Sequence, residues 1–342
     1  MSYVAKGRNV IHNGNFNVWQ RGTSFTSPGV SVNVADRWWS SEFTDGTINL
    51  TQDTGVPNLA SMYSMKVACT GTDATIAAGQ YTHVFQVIEV QDYWDMLSGK
   101  PMILSFWVKS YQTGIFCVAL KEGAVSGNPS YVAEYTINAS ATWEKKIVQI
   151  PATATPFSTT ANGPCVGVRF ALACGSTYQT ATPNVWTAAN VQCTANQVNF
   201  MSSTDNYIQF SQVQLEAGTA ATEFDALVYA DELARCQRYL VMYGGTANEA
   251  KAVGLAYNTT IGLFPLPLPV EMRAIPAVGY SAVSDWQVYI TTAPTDAATI
   301  TVNGSSPNNG CVAVTSGTYT GFQALYFTAK NTAARLYLSA EI

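Results

Sequence analysis

The chain reads as an all-β protein: an N-terminal jelly-roll β-sandwich, a short connecting α-helix and a smaller C-terminal β-sandwich. Three observations predict it. Apolar residues recur with a period of two in many short runs, most cleanly where Val166, Val168, Phe170 and Leu172 share one parity. Turn signals rich in Gly, Thr, Asn and Pro separate the runs. Between Ala230 and Leu240 the period turns helical. Many short strands with little helix point to sheets closing face to face on a core.

Taken in order, residues 9–25 hold a short apolar segment, the turn signal Asn13-Gly14, then Phe16 and Trp19. Of Trp38 and Trp39, one ring is expected in the core and the other over a hydrophobic rim, because aromatic rings are mostly buried, with a sugar-stacking platform as the alternative. Asp36 and Arg37 read as an ion pair beside a turn. Two strands are expected between Lys66 and Val90, the second carrying His83. Residues 102–110 and 114–120 form a hairpin through SYQTG, and 143–150 form a strand stopped by Pro151. Cys165 and Cys174 end one strand on opposite parities, so they cannot bridge each other. Ile208 and Phe210 share one parity, Val213 and Leu215 the other, which is a strand with a bulge near Ser211. First and last strands of a jelly roll lie side by side, which pairs the 11–16 region with 207–215.

After Glu216-Ala217-Gly218, the residues Ala230, Leu233, Ala234, Gln237 and Leu240 fall on one helical face. Asp231 and Glu232 stand early and Arg235 and Arg238 late, as the helix dipole favours. So short a helix is marginal alone. Leu233, Cys236 and Leu240 must therefore bury against flanking domains or against sister copies around a threefold axis, and they are the candidate hinge or trimer contacts. Beyond it, FPLPLPV places its prolines on one parity, as an edge strand allows. Asn303-Gly304 and Asn309-Gly310 mark turns, and 324–327 and 335–340 close the last domain. The expected layout is an attachment arm and first strand at 1–22, the jelly roll at 23–225, the connecting helix at 226–245 and the C-terminal sandwich at 246–342.

Charged residues make up only 11% of the 342-residue chain, and net charge is −5. Nucleic-acid binding needs clustered Lys and Arg, and no basic cluster is present. Nothing is long and apolar enough to insert in a membrane. An uncharged polar surface suits subunit contact or a neutral polar ligand such as sugar. Seven scattered cysteines without C-x-x-C predict buried thiols of a reducing cytoplasm and no disulfide framework. Two histidines, His12 and His83, lie in no nucleophile motif, and His12 reads as a surface or edge residue. Asp92, Asp95, Glu89, Glu122, Glu134 and Glu144 show no spacing that pairs them for glycoside cleavage. No catalytic residue and no cofactor is expected. An all-oxygen calcium site on Asn13, Asn15 and Glu216 is disfavoured by few carboxylates and by glutamines at 212 and 214. Sugar binding without cleavage needs an exposed aromatic face and polar groups beside it. The candidates are Trp94 in the first domain and Asp285, Trp286, Tyr319 and Tyr326 in the last, with Trp286 favoured. Tyr93, Tyr111, Tyr131 and Trp186 are further aromatics of this kind.

NVIHNGNFNVWQRGTSF near the start, then ADRWW, LSFWVKSYQTGIFCVAL and VQLEAGTAATEFDALVYADELARCQRYL, together resemble a family of phage virion proteins. Its members are tail-fibre or minor structural proteins with a carbohydrate-binding-module-like jelly roll. The resemblance covers about residues 8–240 in matching order, and PVEMRAIPAV resembles the start of a C-terminal domain that commonly follows. It implies a virion component, usually trimeric, that contacts either other virion proteins or the host surface; the expected place is the tail, with synthesis in the host cytoplasm. The N-terminal arm would dock to other tail or baseplate proteins, and the C-terminal domain would meet host-surface glycan. Capsid decoration, a head fibre, or hydrolysis of surface polysaccharide are the alternatives.

Overall fold

The computed structural model describes residues 8–122, 129–153, 157, 159–290 and 293–342. Of the expected attachment arm, residues 1–7 lie outside the described residues. The chain divides into two bodies, with the division inside a helix at Glu232 and Leu233.

The first body begins with β1 (Ser24–Thr26), β2 (Val32–Asn33), β3 (Trp39–Phe43), β4 (Thr47–Asp53), β5 (Ser64–Gly71) and β6 (Tyr81–Glu89). A helix the alternation does not announce, α1 (Val90–Met96), leads to β7 (Met102–Ser110), β8 (Gly114–Glu122), β9 (Ser130–Ile137) and β10 (Glu144–Ile150). It ends with β11 (Pro164–Cys174), β12 (Trp186–Thr187) and β13 (Tyr207–Ala217). These make two antiparallel sheets, ordered β1-β4-β5-β13-β7-β10 and β12-β9-β8-β11-β6-β3-β2. This is the expected jelly roll. Its core lies between the sheets: Phe170 of β11 sits 4.9 Å from Phe106 of β7 and 4.6 Å from Phe210 of β13, ring centre to ring centre. Each ring so buried contributes about 1.5–3 kcal/mol through apolar surface removed from water. Trp38 is fully buried and Trp39 half-buried, as their core-and-rim reading requires.

The bulge in β13 joins the ends of this body. Pairing with β7 shifts between Ser211 and Gln214, where Gln212 takes a positive φ of 52°. The Val213 N–H, turned off its ladder, donates to the Gly14 carbonyl at 2.8 Å. A side chain on Gly14 would meet the Val213 carbonyl oxygen at 2.2 Å, so glycine is required there by close approach. The 9–16 segment is a chain of turns and not a regular strand, and amide side chains replace the ladder. Asn9 Oδ1 accepts from the N–H groups of Ile11 and Leu215, while its Nδ2 donates to the Val213 carbonyl. Gln86 of β6 accepts from the His12 N–H and donates to the His12 carbonyl, both at 2.8 Å. His12 is thereby buried, against its reading as a surface or edge residue, and its Nε2 lies 3.3 Å from Asp92.

Helix α2 (Tyr229–Gln237) is shorter than the 226–245 expected, because Leu240 already belongs to β14 (Leu240–Gly244). The second body continues with β15 (Ala250–Ala256), β16 (Ile261–Leu266), β17 (Ala277–Tyr280) and β18 (Trp286–Ile290). Then come β19 (Ala293–Asp296), β20 (Thr299–Val302), β21 (Gly310–Thr315), β22 (Ala324–Ala329) and β23 (Arg335–Ser339). Two sheets form, β14-β23-β17 and β19-β18-β22-β15-β16-β21-β20, with a core of their own around Phe264, Trp286, Phe327 and Leu336. Residues 240–244 are a strand because β23 offers a full antiparallel register, Leu240 to Ser339 through Gly244 to Arg335. That partner lies almost a hundred residues away, outside any local pattern. Cys236 and Leu240 are fully buried within one chain, so neither is free as a contact between sister chains; Leu233 is half-buried.

Candidate functional site

The jelly roll's seven-stranded sheet has one face in the core and one turned outward. On β6, Val84 and Ile88 enter the core, so Tyr81, His83, Phe85 and Val87, of the other parity, share the outer face. Register then fixes their neighbours. Trp39 lies opposite Phe85 and Ser41 opposite His83 on β3, and Arg169 of β11 stands across from Phe85 on the far side. Lys121 comes from β8. Together these line a cleft of about 380 Å³.

A loop over residues 175–199 walls one side with Tyr178, Asn190 and Gln192. It can lie flat because the sheet beneath presents small residues, Cys117, Ala119 and Ala171, against its Val191 and Cys193. A disulfide between Cys174 and Cys193 ties the loop to the end of β11. This corrects the expectation of thiols alone. Parity rightly separated Cys165 from Cys174, but Cys193 sits in a loop without alternation and arrives from above the sheet. Cys69, Cys117, Cys165, Cys236 and Cys311 are free.

The floor is aromatic. Trp39 stacks on Phe85 at 6.2 Å and Tyr81 on His83 at 5.0 Å, and Tyr178 stands edge-on to Tyr81 at 5.1 Å. The Arg169 guanidinium lies 4.4 Å above the Phe85 ring, and its Nη1 is 3.1 Å from His83 Nε2. Lys121 Nζ donates to Asn190 Oδ1. Burial, reinforced by the Arg169 and Lys121 cations, holds the His83 ring well below the ordinary histidine value, so the imidazole is neutral. Its Nε2 therefore accepts from Arg169. Burial also brings the Arg169 guanidinium down to about 10, and burial followed by the neighbouring Arg169 brings the Lys121 ammonium down to about 8. Among the described residues, Trp39 Nε1, His83 Nδ1 and Arg169 Nε have no hydrogen-bond partner. Aromatic faces with nitrogen donors between them suit a ring that carries oxygens.

The residues singled out in the sequence fare differently. Trp286 is fully buried, stacked 4.9 Å from Phe327, and Tyr319 is only 3% exposed, so neither presents a ring to a ligand. The junction that made Trp286 attractive is real, but β18 pairs with β22 and turns the indole into the second core. Tyr326 is 48% exposed on β22. Asp285 accepts from Asn331 Nδ2 at 2.8 Å, a contact that holds its carboxyl below the usual range. Trp94, on α1, is 40% exposed. Tyr93 and Tyr131 are buried, Trp186 is half-buried and Tyr111 is exposed. The sequence reading missed Tyr81, Phe85, Lys121, Arg169 and Tyr178. The available signal was Tyr81-His83-Phe85, three rings on one parity of a strand whose other parity carries Val84 and Ile88.

Two of the three calcium donors considered are engaged with protein. Asn13 Oδ1 accepts from the Val18 N–H and its Nδ2 donates to the Val18 and Asp36 carbonyls. Glu216 accepts from the Thr222 N–H and hydroxyl and from Gln214. Among the described residues no three His, Cys, Asp or Glu side chains converge for a metal ion. Glu134 accepts from Thr194 and Asn196, and Glu144 accepts from Asn138 and Lys146. Among the described residues no Asp or Glu lines the cleft.

The fold and cleft define a class, an all-β jelly roll with an aromatic, cation-bearing sheet face. No protein-family description matches the chain, and no curated protein sequence matches it. Among solved structures, the chain is similar to the enzymatically active domain of tailspike protein 4 of bacteriophage CBA120. That likeness has 13% identity and a TM-score of 0.32, covering 62% of this chain and 22% of the tailspike. The chain thus spans about a fifth of that tailspike's length. A family 4 carbohydrate-binding module is similar at 16% identity and a TM-score of 0.34, over 61% of this chain and 99% of the module. A family 61 module in complex with β-1,4-galactotriose is similar at 13% identity and a TM-score of 0.31, over 62% of this chain and 100% of the module. These are distant likenesses, and what the cleft can do rests on its own residues.

Proposed function

We propose that this chain is a virion attachment protein, a non-enzymatic homotrimeric tail-fibre component that holds a host-surface glycan in the cleft of its jelly roll. The observation that carries the reading is the aromatic floor of Trp39, Tyr81 and Phe85 beside the Arg169 and Lys121 side chains in one open cleft. Sugar rings bury their C–H faces on such aromatics and present hydroxyls to the polar groups between them. The phage assignment rests on the resemblance of residues 8–240 to tail-fibre and minor virion proteins. The glycan surface moves from the last domain to the first, because Trp286 serves a core and Trp39 does not.

The absence of cleavage is supported by the cleft's lining, which holds no Asp or Glu to pair as acid and base. Assembly is supported by an apolar row on the outer face of the second body. Val253 is 60% exposed and lies opposite Tyr326, with Leu255 54% exposed two residues on. Sister chains would cover such a row.

A glycan array probed with the full chain tests the binding. Retention on at least one glycan class, lost in Trp39→Ala and Tyr81→Ala, is expected; binding unchanged in both variants refutes the cleft. Release of reducing ends from a bound glycan would favour a hydrolase instead. A solution mass of three times 36.7 kDa is expected, and a monomer would refute the trimer.

A further inference from the structure

In a chain with only 17 Lys and Arg in 342 residues and a net charge of −5, two cations line one cleft, and among the described residues no Asp or Glu accompanies them. Neither Arg169 nor Lys121 meets a carboxylate among the described residues: the first bonds a neutral imidazole, the second an amide. We propose that the cleft selects an acidic saccharide, a sugar unit bearing a carboxylate as uronic and sialic acids do, with Arg169 and Lys121 receiving the charge. The inference rests on reading the cleft as a glycan site and adds the chemical class of the glycan.

The physical argument starts from cost. A cation withdrawn from water without a counter-ion is unfavourable, and two side by side repel as well. Packing alone does not require charge at either position. Strand β11 would seat an apolar residue on Phe85 equally well, and the rim position of Lys121 would accept a neutral polar one. An arriving anion removes the cost, so the charges are better compensated in the complex than in the free protein. Both are also held in place before binding. Phe85 supports the guanidinium from below and His83 fixes its Nη1, while Asn190 holds the ammonium. Rotamer entropy is thus surrendered on folding and not on binding.

Geometry favours a carboxylate among anions. With Nη1 given to His83 and Nε enclosed without a partner, Nη2 is the remaining guanidinium donor, and Lys121 Nζ is the second cationic donor of the cleft. A planar carboxylate offers two oxygens, one for each of these donors. The remaining polar atoms agree. The neutral His83 carries its proton on Nδ1, since Nε2 accepts, so it is a donor like Trp39 Nε1. Arg169 and Lys121 bring cationic donors to the cleft, and an acidic sugar is rich in acceptors.

The test is affinity electrophoresis of the full chain through gels holding polygalacturonate, polysialic acid, dextran sulfate or neutral galactan. Carboxylated polymer is expected to retain the chain about tenfold more tightly than galactan, with retention falling as salt is raised. Arg169→Gln and Lys121→Met should each weaken that retention about tenfold. Arg169→Lys, which keeps the charge and loses the fork, should fall between. Thermal unfolding of each variant checks its fold, and Lys121→Met, a half-buried rim position, carries the test if Arg169→Gln does not fold. Equal retention by galactan and the carboxylated polymers overturns the acidic preference and leaves the glycan site standing. Acid-specific retention that survives both substitutions overturns the site. Retention by dextran sulfate alone overturns the carboxylate. Retention by none of the four overturns both this inference and the glycan reading.

Discussion

His83 shows how much one side chain's surroundings matter. In the unfolded chain its ring takes a proton below its ordinary value of 6.5, while in the folded chain burial first, then Arg169 and Lys121, keep it neutral far below that. The unfolded state therefore binds more protons at acid pH, and stability present above about 6.5 is lost as pH falls. His83→Gln keeps an acceptor for Arg169 without the titration. Its thermal midpoint is expected to fall less steeply than that of the parent chain between about pH 7 and pH 4. Equal slopes would show that other groups govern the acid limb. Lys121 is a base of the same kind, and its linkage has the same sign. Its charged form is disfavoured by burial, so stability rises as pH climbs through its folded value of about 8 towards the unfolded 10.5. Gln86 is a structural counterpart. Gln86→Leu would leave the His12 N–H and carbonyl buried without their partner and should lower unfolding free energy by about 2–4 kcal/mol in urea titration.

Among the elements, the loop over residues 175–199 and the bulged strand β13 decide the site. The loop has no alternation and no helical period, and its position follows from the small residues under it and from the bridge between Cys174 and Cys193. That bridge closes a separation of 19 residues, and Cys193→Ser should cost about 3 kcal/mol if loop closure dominates. The same variant should weaken glycan retention, because Tyr178, Asn190 and Gln192 would lose their fixed positions; unchanged affinity would remove the loop from the site. The β13 bulge was legible as a parity switch, and so was its pairing with the N-terminal segment. What was not legible is that Asn9 makes the contact through its side-chain amide in place of a strand ladder, while Asn13 and Gln86 hold the turns of the segment. Their abundance near the start resembles a solvated surface in a sequence, yet all three are buried.

At the scale of the molecule, each body has its own core, one centred on Phe106, Phe170 and Phe210 and the other on Phe264, Trp286 and Phe327. A fragment ending at Glu232 keeps every lining residue of the cleft except Ile342, and the Asn13 N–H to Glu232 bond at 2.6 Å. It is expected to bind the same glycan with affinity within about threefold of the full chain. Loss of binding with the fragment still folded would move the site. The sequence by itself determined β5 to β8, β10, β11, β13, β22 and β23, the bulge, the core-and-rim pair Trp38 and Trp39 and a helix beginning near Ala230, because alternation and helical period are local consequences of burying one face. Only the tertiary structure decided that Trp286 is core, that Leu240 is strand, that Cys174 meets Cys193, and that Trp39, Tyr81, Phe85, Lys121 and Arg169 share one cleft. Those outcomes depend on which strands become neighbours, and strand order is set by contacts between residues far apart in the chain.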